Sequence, residues 1–279
     1  MGESIVRIGF NYTLGDTAPL VHRLLASGRI DYVELLIDNF LSVPPEEMAQ
    51  GFGAPVGFHI MFSKFIENDD AALESMAIRL RRLIDLLKPL YVSDHIARFN
   101  HEGRQLYHLA EIDYIADYEQ VRCRVDWWQQ KLGCRLYLEN YPSIMDGGRD
   151  APHFHERLHR DTGAGVLFDV SNAVCAHLNC GLPLEAWEGI IESSSHFHVA
   201  GYNLSILAPH LVVDTHDRML SDETLGFLER CRARFDTPGA TMTYERDDNF
   251  VEAEIEHDLD RLRDLFSRSS VEVFDAPRA

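Results

Sequence analysis

Acids, histidines and asparagines recur in this 279-residue chain at the carboxyl ends of short apolar runs. Val56–His59 ends on His59, and Leu90–Ser93 runs into Asp94-His95. Arg135–Glu139 ends on Glu139 and is followed by Asn140; Gly165–Asp169 ends on Asp169, with Asn172 one turn later. His196–Ala200 contains His198, and Thr241–Glu245 ends on Glu245 and is followed by Arg246 and Asp247. Tyr32–Ile37 contains Glu34 and leads into Asp38 and Asn39, while Asp214-Thr215-His216 stands in a long connection after His198. Asp214 and His216 share a face if that segment is extended. Buried acids and histidines are costly unless paired or ligating. Imidazole and carboxylate donors suit iron, manganese or zinc, whose charge offsets crowded carboxylates. The donors exceed what one ion needs, so two or more ions are expected. Each residue also has a plainer reading. His59 and His95 could be hydrogen-bonded core histidines, Glu139 and Glu245 salt-bridge partners, and Asp169 a helix cap.

These residues need elements that bring their ends together. Eight runs read as buried parallel strands: the seven above and Ile5–Phe10. Helical patterns separate them. From Asp69 to Lys88, Leu73, Met76, Leu80, Leu83, Ile84 and Leu87 recur at helical spacing. Pro183 opens another helix, Ser221 can cap the helix carrying Leu225, Leu228 and Cys231, and a last helix spans about Val251 to Phe266. Eight alternating units predict an α/β fold, a closed (β/α)8 TIM-type barrel, over a doubly wound open sheet. No Gly-rich phosphate fingerprint follows the first strand. Residues 1–268 are read as one domain and 269–279 as a disordered tail. In such a barrel the strand ends form one ring around the mouth, where catalytic groups sit. Leu211-Val212-Val213 is expected as an extra short strand in the long seventh connection. His196 shares a face with His198 but lies one layer deeper, which makes it a core or supporting residue.

The chain has 26 basic and 45 acidic residues, a net charge of −19. Such a surface disfavours nucleic acid and anionic membranes as partners. With no run of about 18 apolar residues and no signal-peptide pattern at the start, a cytoplasmic location is expected. The five cysteines form no C-x-x-C pair and are expected as free thiols. His155-Glu156-Arg157-Leu158-His159 matches the metalloprotease pattern H-E-x-x-H. Its expected place on an outer helix, between the fifth and sixth strands, argues against that chemistry.

The ordered set His59, Ser93-Asp94-His95, Leu138-Glu139-Asn140-Tyr141, Phe168-Asp169-Val170-Ser171-Asn172, His198-Val199-Ala200-Gly201, Asp214-Thr215-His216-Asp217 and Tyr244-Glu245-Arg246-Asp247 resembles that of the multinuclear non-heme iron-dependent oxidative enzymes. The likeness runs from Ile8-Gly9-Phe10 to the last helix and is strongest to the methanobactin-biosynthesis branch. It implies two or three irons, mixed Fe(II)/Fe(III), held by His59, His95, Glu139, Asp169, Asn172, His198, Asp214, His216 and Glu245. Glu139, Asp169 and Asp214 would be catalytic. Where many relatives are Asn-rich after the sixth strand, this chain reads Ala173-Val174-Cys175-Ala176-His177, so His177 is assigned no role. The resemblance further implies an MbnC-like partner protein, an MbnA-like precursor peptide and dioxygen as co-substrate. The implied reaction is a four-electron oxidation of a peptide cysteine to an oxazolone with an adjacent thioamide. Asn140, Asn203, Arg246 and Asp247 are expected to support the ligands or touch the peptide. Two other functions compete on the residues alone: a xylose-isomerase-like sugar isomerase and a non-catalytic metal-binding scaffold. An endonuclease-IV-like barrel conflicts with the charge.

Overall fold

The computed structural model describes residues 6–267 except Leu14, Asp16, Ala49, Gln50 and Phe52. Eight strands close into a parallel barrel: β1 (Arg7–Tyr12), β2 (Tyr32–Leu36), β3 (Val56–Ile60), β4 (Val92–His95), β7 (Tyr137–Glu139), β8 (Gly165–Asp169), β9 (His196–Ala200) and β12 (Thr241–Glu245). β1 pairs with β2 on one side and β12 on the other, which closes the ring. The expected (β/α)8 barrel is therefore the fold. The strand interiors are almost wholly buried because helices cover the outside, so the apolar runs show little alternation.

Local chemistry sets the helices. In α3 (Asp70–Leu87) the Asp69 carboxylate accepts the Ala72 N–H at 2.9 Å, while Leu73, Ala77, Leu80 and Leu83 turn to the barrel. α8 (Asp222–Phe235) starts at Ser221, whose hydroxyl accepts the Thr224 N–H at 3.0 Å. The last helix, α9 (Glu252–Ser267), lies one residue later than expected at both ends. The tail read as disordered, 269–279, lies outside the described residues. Among the described residues, no helix is long and apolar enough to cross a membrane, and all five cysteines are unpaired.

Several boundaries shift, and two matter for function. β1 runs to Tyr12 because its ladder continues through Asn11↔Glu34 and Tyr12↔Leu35, which carries Asn11 to the mouth. β4 begins at Val92, later than expected, and includes His95, which is in register with Glu139 of β7. β7 itself starts at Tyr137 rather than Arg135. Two hairpins interrupt the βα pattern. The one after β9 pairs β10 (Tyr202–Leu204) with β11 (Val212–Asp214), close to the expected extra strand. The one after β4 pairs β5 (Arg98–His101) with β6 (Arg104–Ala110) and was not legible in the sequence.

Near the amino-terminal ends of the strands the barrel interior holds tyrosines. A Cβ at Gly9, Gly57 or Gly165 would fall 2.3, 2.7 and 2.2 Å from the side chains of Tyr32, Tyr91 and Tyr137 respectively. The missing side chains on β1, β3 and β8 thus make room for three rings. His196 packs between Tyr91 and Tyr137, with centroids 4.5 Å away in each case, and its Nδ1 pairs with the Thr241 hydroxyl at 2.9 Å. It is a core residue.

Candidate metal centre at the barrel mouth

The carboxyl ends of the strands bring one donor after another into the same space. His59 ends toward the mouth on β3, His95 on β4, Glu139 on β7, Asp169 on β8, His198 on β9 and Glu245 on β12. Asn172 joins from the first turn of α6 (Val170–Cys180). Asp169 serves two purposes at once. One oxygen, Oδ1, caps α6 by accepting the Asn172 N–H at 2.6 Å, and the other, Oδ2, is buried without a partner. The helix-cap reading and the ligand reading are therefore compatible.

Glu139 is the centre of the arrangement. Its Oε2 lies 3.1 Å from His95 Nε2 and 3.4 Å from His59 Nε2. Its Oε1 accepts from the Asn172 amide at 3.1 Å and lies 4.0 Å from His198 Nδ1. Two groups of donors follow, each with its atoms within 4.8 Å of one another: His59, His95 and Glu139; and Glu139, Asp169, His198 and Glu245. Glu139 belongs to both, so this geometry suits two neighbouring ions sharing one carboxylate. Asp214 and His216 line the same cavity beside these groups, with His216 Nε2 2.8 Å from Asp214 Oδ2.

The imidazoles are held with one nitrogen facing inward. His95 Nδ1 donates to the Ile60 carbonyl at 3.2 Å, which leaves Nε2 to meet Glu139. His59 Nδ1 pairs with the Ser93 hydroxyl at 2.8 Å. His216 Nδ1 pairs with Asp247 Oδ2 at 2.9 Å, and Asp247 also accepts the Asn11 amide at 2.7 Å. A carbonyl or carboxylate behind an imidazole is the usual support of a metal-binding histidine.

The electrostatics of the site are strained. Burial and the neighbouring Glu139, Asp214 and Glu245 push the Asp169 carboxyl well above its usual range. Burial and the neighbouring His95 push His59 down to about 3. Burial opposes the charge on His95, yet Glu139 outweighs it and raises His95 to about 9. Burial would raise Glu139 too, but His95, His59 and His198 together hold it below the usual carboxylate range. Six buried atoms here make no well-aligned hydrogen bond: Glu139 Oε2, Asp169 Oδ2, Asn172 Oδ1, His198 Nδ1, Asp214 Oδ1 and Glu245 Oε2. Buried polar atoms are nearly always paired, so this convergence fits bound cations. Oxygen and imidazole donors with no thiolate match iron, manganese or zinc in a non-structural role.

Above the donors lies a cavity of about 390 Å³. Leu36, Met61, Ile96, Leu109, Ile144 and Val212 form its apolar walls, so both hairpins contribute. The four expected supporting residues divide. Asp247 and Asn140 line the cavity; Asn140 exchanges hydrogen bonds with the backbone of Asp169 at 2.7 and 2.9 Å. Asn203 is committed to Thr215 and Asp217 in the seventh connection, at 2.9 and 2.6 Å. Arg246 is fully buried and turns away from the cavity toward Glu254 and the Asn249 carbonyl. Side chains alternate along an extended segment, so the neighbour of inward-facing Glu245 must face outward. The H-E-x-x-H histidines lie on outer helix α5 (Ala151–Thr162). His155 packs against Phe154 and Trp187, and His159 pairs with the Ala164 carbonyl. His177 pairs with the Leu182 carbonyl.

Sequence reasoning left Glu34 and Asn11 out of the site. Glu34 is buried on β2 with Oε2 2.6 Å from His198 Nε2. A carboxylate inside an otherwise apolar strand was the available signal for Glu34. For Asn11 the signal was hidden by the misplaced strand end.

Fold and site together define a (β/α)8 barrel with a buried histidine–carboxylate cluster at its mouth. The chain belongs to the family of RiPP precursor modification enzymes MbnB/TglH/ChrH, whose model matches residues 12–266. Among curated relatives, a UPF0276 protein of Rhizorhabdus wittichii is 30% identical over 249 residues, covering 85% of this chain and 86% of that one. A UPF0276 protein of Caulobacter vibrioides is 28% identical over 250 residues, covering 85% and 87%. Solved structures show the same fold at low identity. A xylose isomerase-like TIM barrel protein from Mycobacterium smegmatis, in complex with magnesium, has a TM-score of 0.60 at 15% identity, covering 94% of this chain and 98% of that one. The 3-keto-D-glucoside 4-epimerase of E. coli has a TM-score of 0.60 at 13% identity, covering 94% and 100%.

Proposed function

We propose that this protein is an iron-dependent, dioxygen-using oxidase. On this reading it converts a cysteine of a methanobactin-type precursor peptide to an oxazolone with an adjacent thioamide. It would work with an MbnC-like partner. The observation that carries the reading is the set of six unpartnered buried donor atoms beneath a cavity with apolar walls, in a chain of a peptide-modifying family. The proposed ligands are His59, His95, Glu139, Asp169, Asn172, His198, Asp214, His216 and Glu245.

Iron held there would supply Lewis acidity toward sulfur and one-electron chemistry with dioxygen. The chain's own residues do the rest. Glu139 holds two donor groups in fixed relation through its two oxygens. Asp169 places one oxygen in the cluster while its other oxygen is locked by the cap of α6. Asp214, with Oδ1 unpartnered at the cavity wall, would complete the ligand set from the seventh connection. Asp247 holds His216 from behind, and Asn140 fixes the Asp169 backbone. The apolar walls exclude water from the reacting cysteine. Overall, four electrons and four protons leave the peptide and reduce one dioxygen to two waters.

The test is anaerobic copurification with partner and precursor, iron loading, and exposure to dioxygen. Dioxygen consumption with loss of four hydrogens from the peptide is expected. No consumption by the iron-loaded complex refutes the oxidase reading. Modification supported equally well by metal-free protein points to a scaffold instead.

A further inference from the structure

We infer that Glu34 is a positioning residue that fixes which nitrogen of His198 ligates, rather than a metal ligand; this rests on the metal reading of the site. The two sit inside the barrel, His198 fully buried and Glu34 1% exposed. Glu34 Oε2 receives His198 Nε2 at 2.6 Å and the Tyr91 hydroxyl in a short hydrogen bond, with Thr243 Oγ1 3.4 Å away. Thr243 in turn hydrogen-bonds Tyr91 at 2.9 Å and Tyr32 at 2.6 Å. This oxygen therefore already faces as many donors as its lone pairs can serve.

His198 Nδ1 is in the opposite condition. It is buried and makes no well-aligned hydrogen bond, lying 3.0 Å from Glu245 Oε2, which also makes none. An imidazole binds a metal through the nitrogen that carries no proton, and the hydrogen bond at the other nitrogen decides which that is. With Glu34 accepting the Nε2 proton, Nδ1 is left to ligate beside Glu139, Asp169 and Glu245. Glu34, His59 and His198 also stand close enough to suggest a three-donor site. On the present assignment Glu34 Oε2 and His198 Nε2 are spent on each other, 2.6 Å apart.

The support reaches down the barrel. Tyr91 and Tyr32 stand where they do because Gly57 and Gly9 offer no Cβ; one at Gly57 would meet the Tyr91 ring at 2.7 Å. Two glycines, two tyrosines and one threonine thus close the space beneath Glu34 and turn its charge toward His198.

The test uses the full chain labelled with ¹⁵N-histidine and loaded with Zn(II), read by NMR, with Zn(II) counted and titrated against a competing chelator. The expected wild-type spectrum shows His198 with a slowly exchanging proton on Nε2 and a metal-shifted Nδ1. Glu34→Gln should bind the same number of Zn(II) ions about 10–100-fold more weakly. Tyr91→Phe, which keeps the carboxylate, should retain the Nε2 proton. A proton on Nδ1 in the wild type, or one Zn(II) fewer in Glu34→Gln, overturns the assignment. If Glu34→Gln fails to fold, the wild-type spectrum alone decides. A wild-type chain that takes up neither Zn(II) nor Fe(II) overturns the metal reading itself and this assignment with it, an outcome seen before Glu34 is touched.

Discussion

Asp169→Asn should move stability and metal binding in opposite directions. In the metal-free chain Asp169, Glu139, Glu245 and His198 place donor atoms within 4.8 Å of one another. At an effective dielectric of about 20, two unit charges at that distance repel by 332/(20 × 4.8), or about 3.5 kcal/mol. The folded apoprotein can escape this by protonating Asp169, whose carboxyl is pushed well above its ordinary 3.8. At pH 7 that proton costs 1.36 × (7 − 3.8), about 4 kcal/mol, which sets a ceiling on the relief. Asparagine keeps the Oδ1 cap on the Asn172 N–H and replaces the unpartnered Oδ2 with an amide that can donate to the neighbouring acids. Chelator-treated Asp169→Asn should therefore be about 2–4 kcal/mol more stable than chelator-treated wild type. In urea this is a midpoint shift of about 1 M at an unchanged slope of about 3 kcal/mol/M. Bound metal, measured by elemental analysis, should fall in the same variant. An apo variant no more stable than apo wild type would refute the claim that uncompensated acids are crowded here.

Three further outcomes follow from the same geometry. Glu139→Ala should lose more bound metal than Asp247→Asn: the first removes a donor common to both groups, the second a support that costs about 10–100-fold in affinity. Equal losses would contradict the central position of Glu139. His155 is pushed by burial from 6.5 down to about 4, so between those values the unfolded chain binds a proton that the folded chain does not. Its contribution is complete above pH 6.5 and is lost as pH falls toward 4, by about 3 kcal/mol in all. His155→Leu should flatten that part of the stability profile, and an unchanged slope in urea titrations counts against the argument. Gly165→Ala puts a Cβ 2.2 Å from the Tyr137 ring and should destabilise by about 1–3 kcal/mol, visible in urea unfolding.

Much of the fold was legible because its signals are local. Short buried runs separated by capped helices announce parallel strands, and Asp69 and Ser221 cap the helices they were expected to start. Once the barrel is inferred, strand-end position alone gathers His59, His95, Glu139, Asp169, His198 and Glu245. Strand ends were less secure, because pairing with neighbours sets where a ladder stops. That is why Asn11 was missed and why His95 proved to lie within its strand. The β5–β6 hairpin leaves no signal in the sequence because its Arg-Phe-Asn-His and Arg-Gln-Leu-Tyr-His stretches carry no apolar run. Arg246, expected to support the ligands or touch the peptide, turns toward Glu254 and the Asn249 carbonyl, because alternation faces it away from Glu245.

The sequence by itself determined that donors of one chemical kind would stand at successive strand ends, since residue type and strand period are local properties. Only the tertiary structure decided how those donors pair. It set Glu139 between two groups, placed Asp247 behind His216, and gave His198 a carboxylate on each side. The reason is physical. These partners are far apart in the chain and meet only when the barrel closes, and closure fixes which nitrogen or oxygen each turns inward.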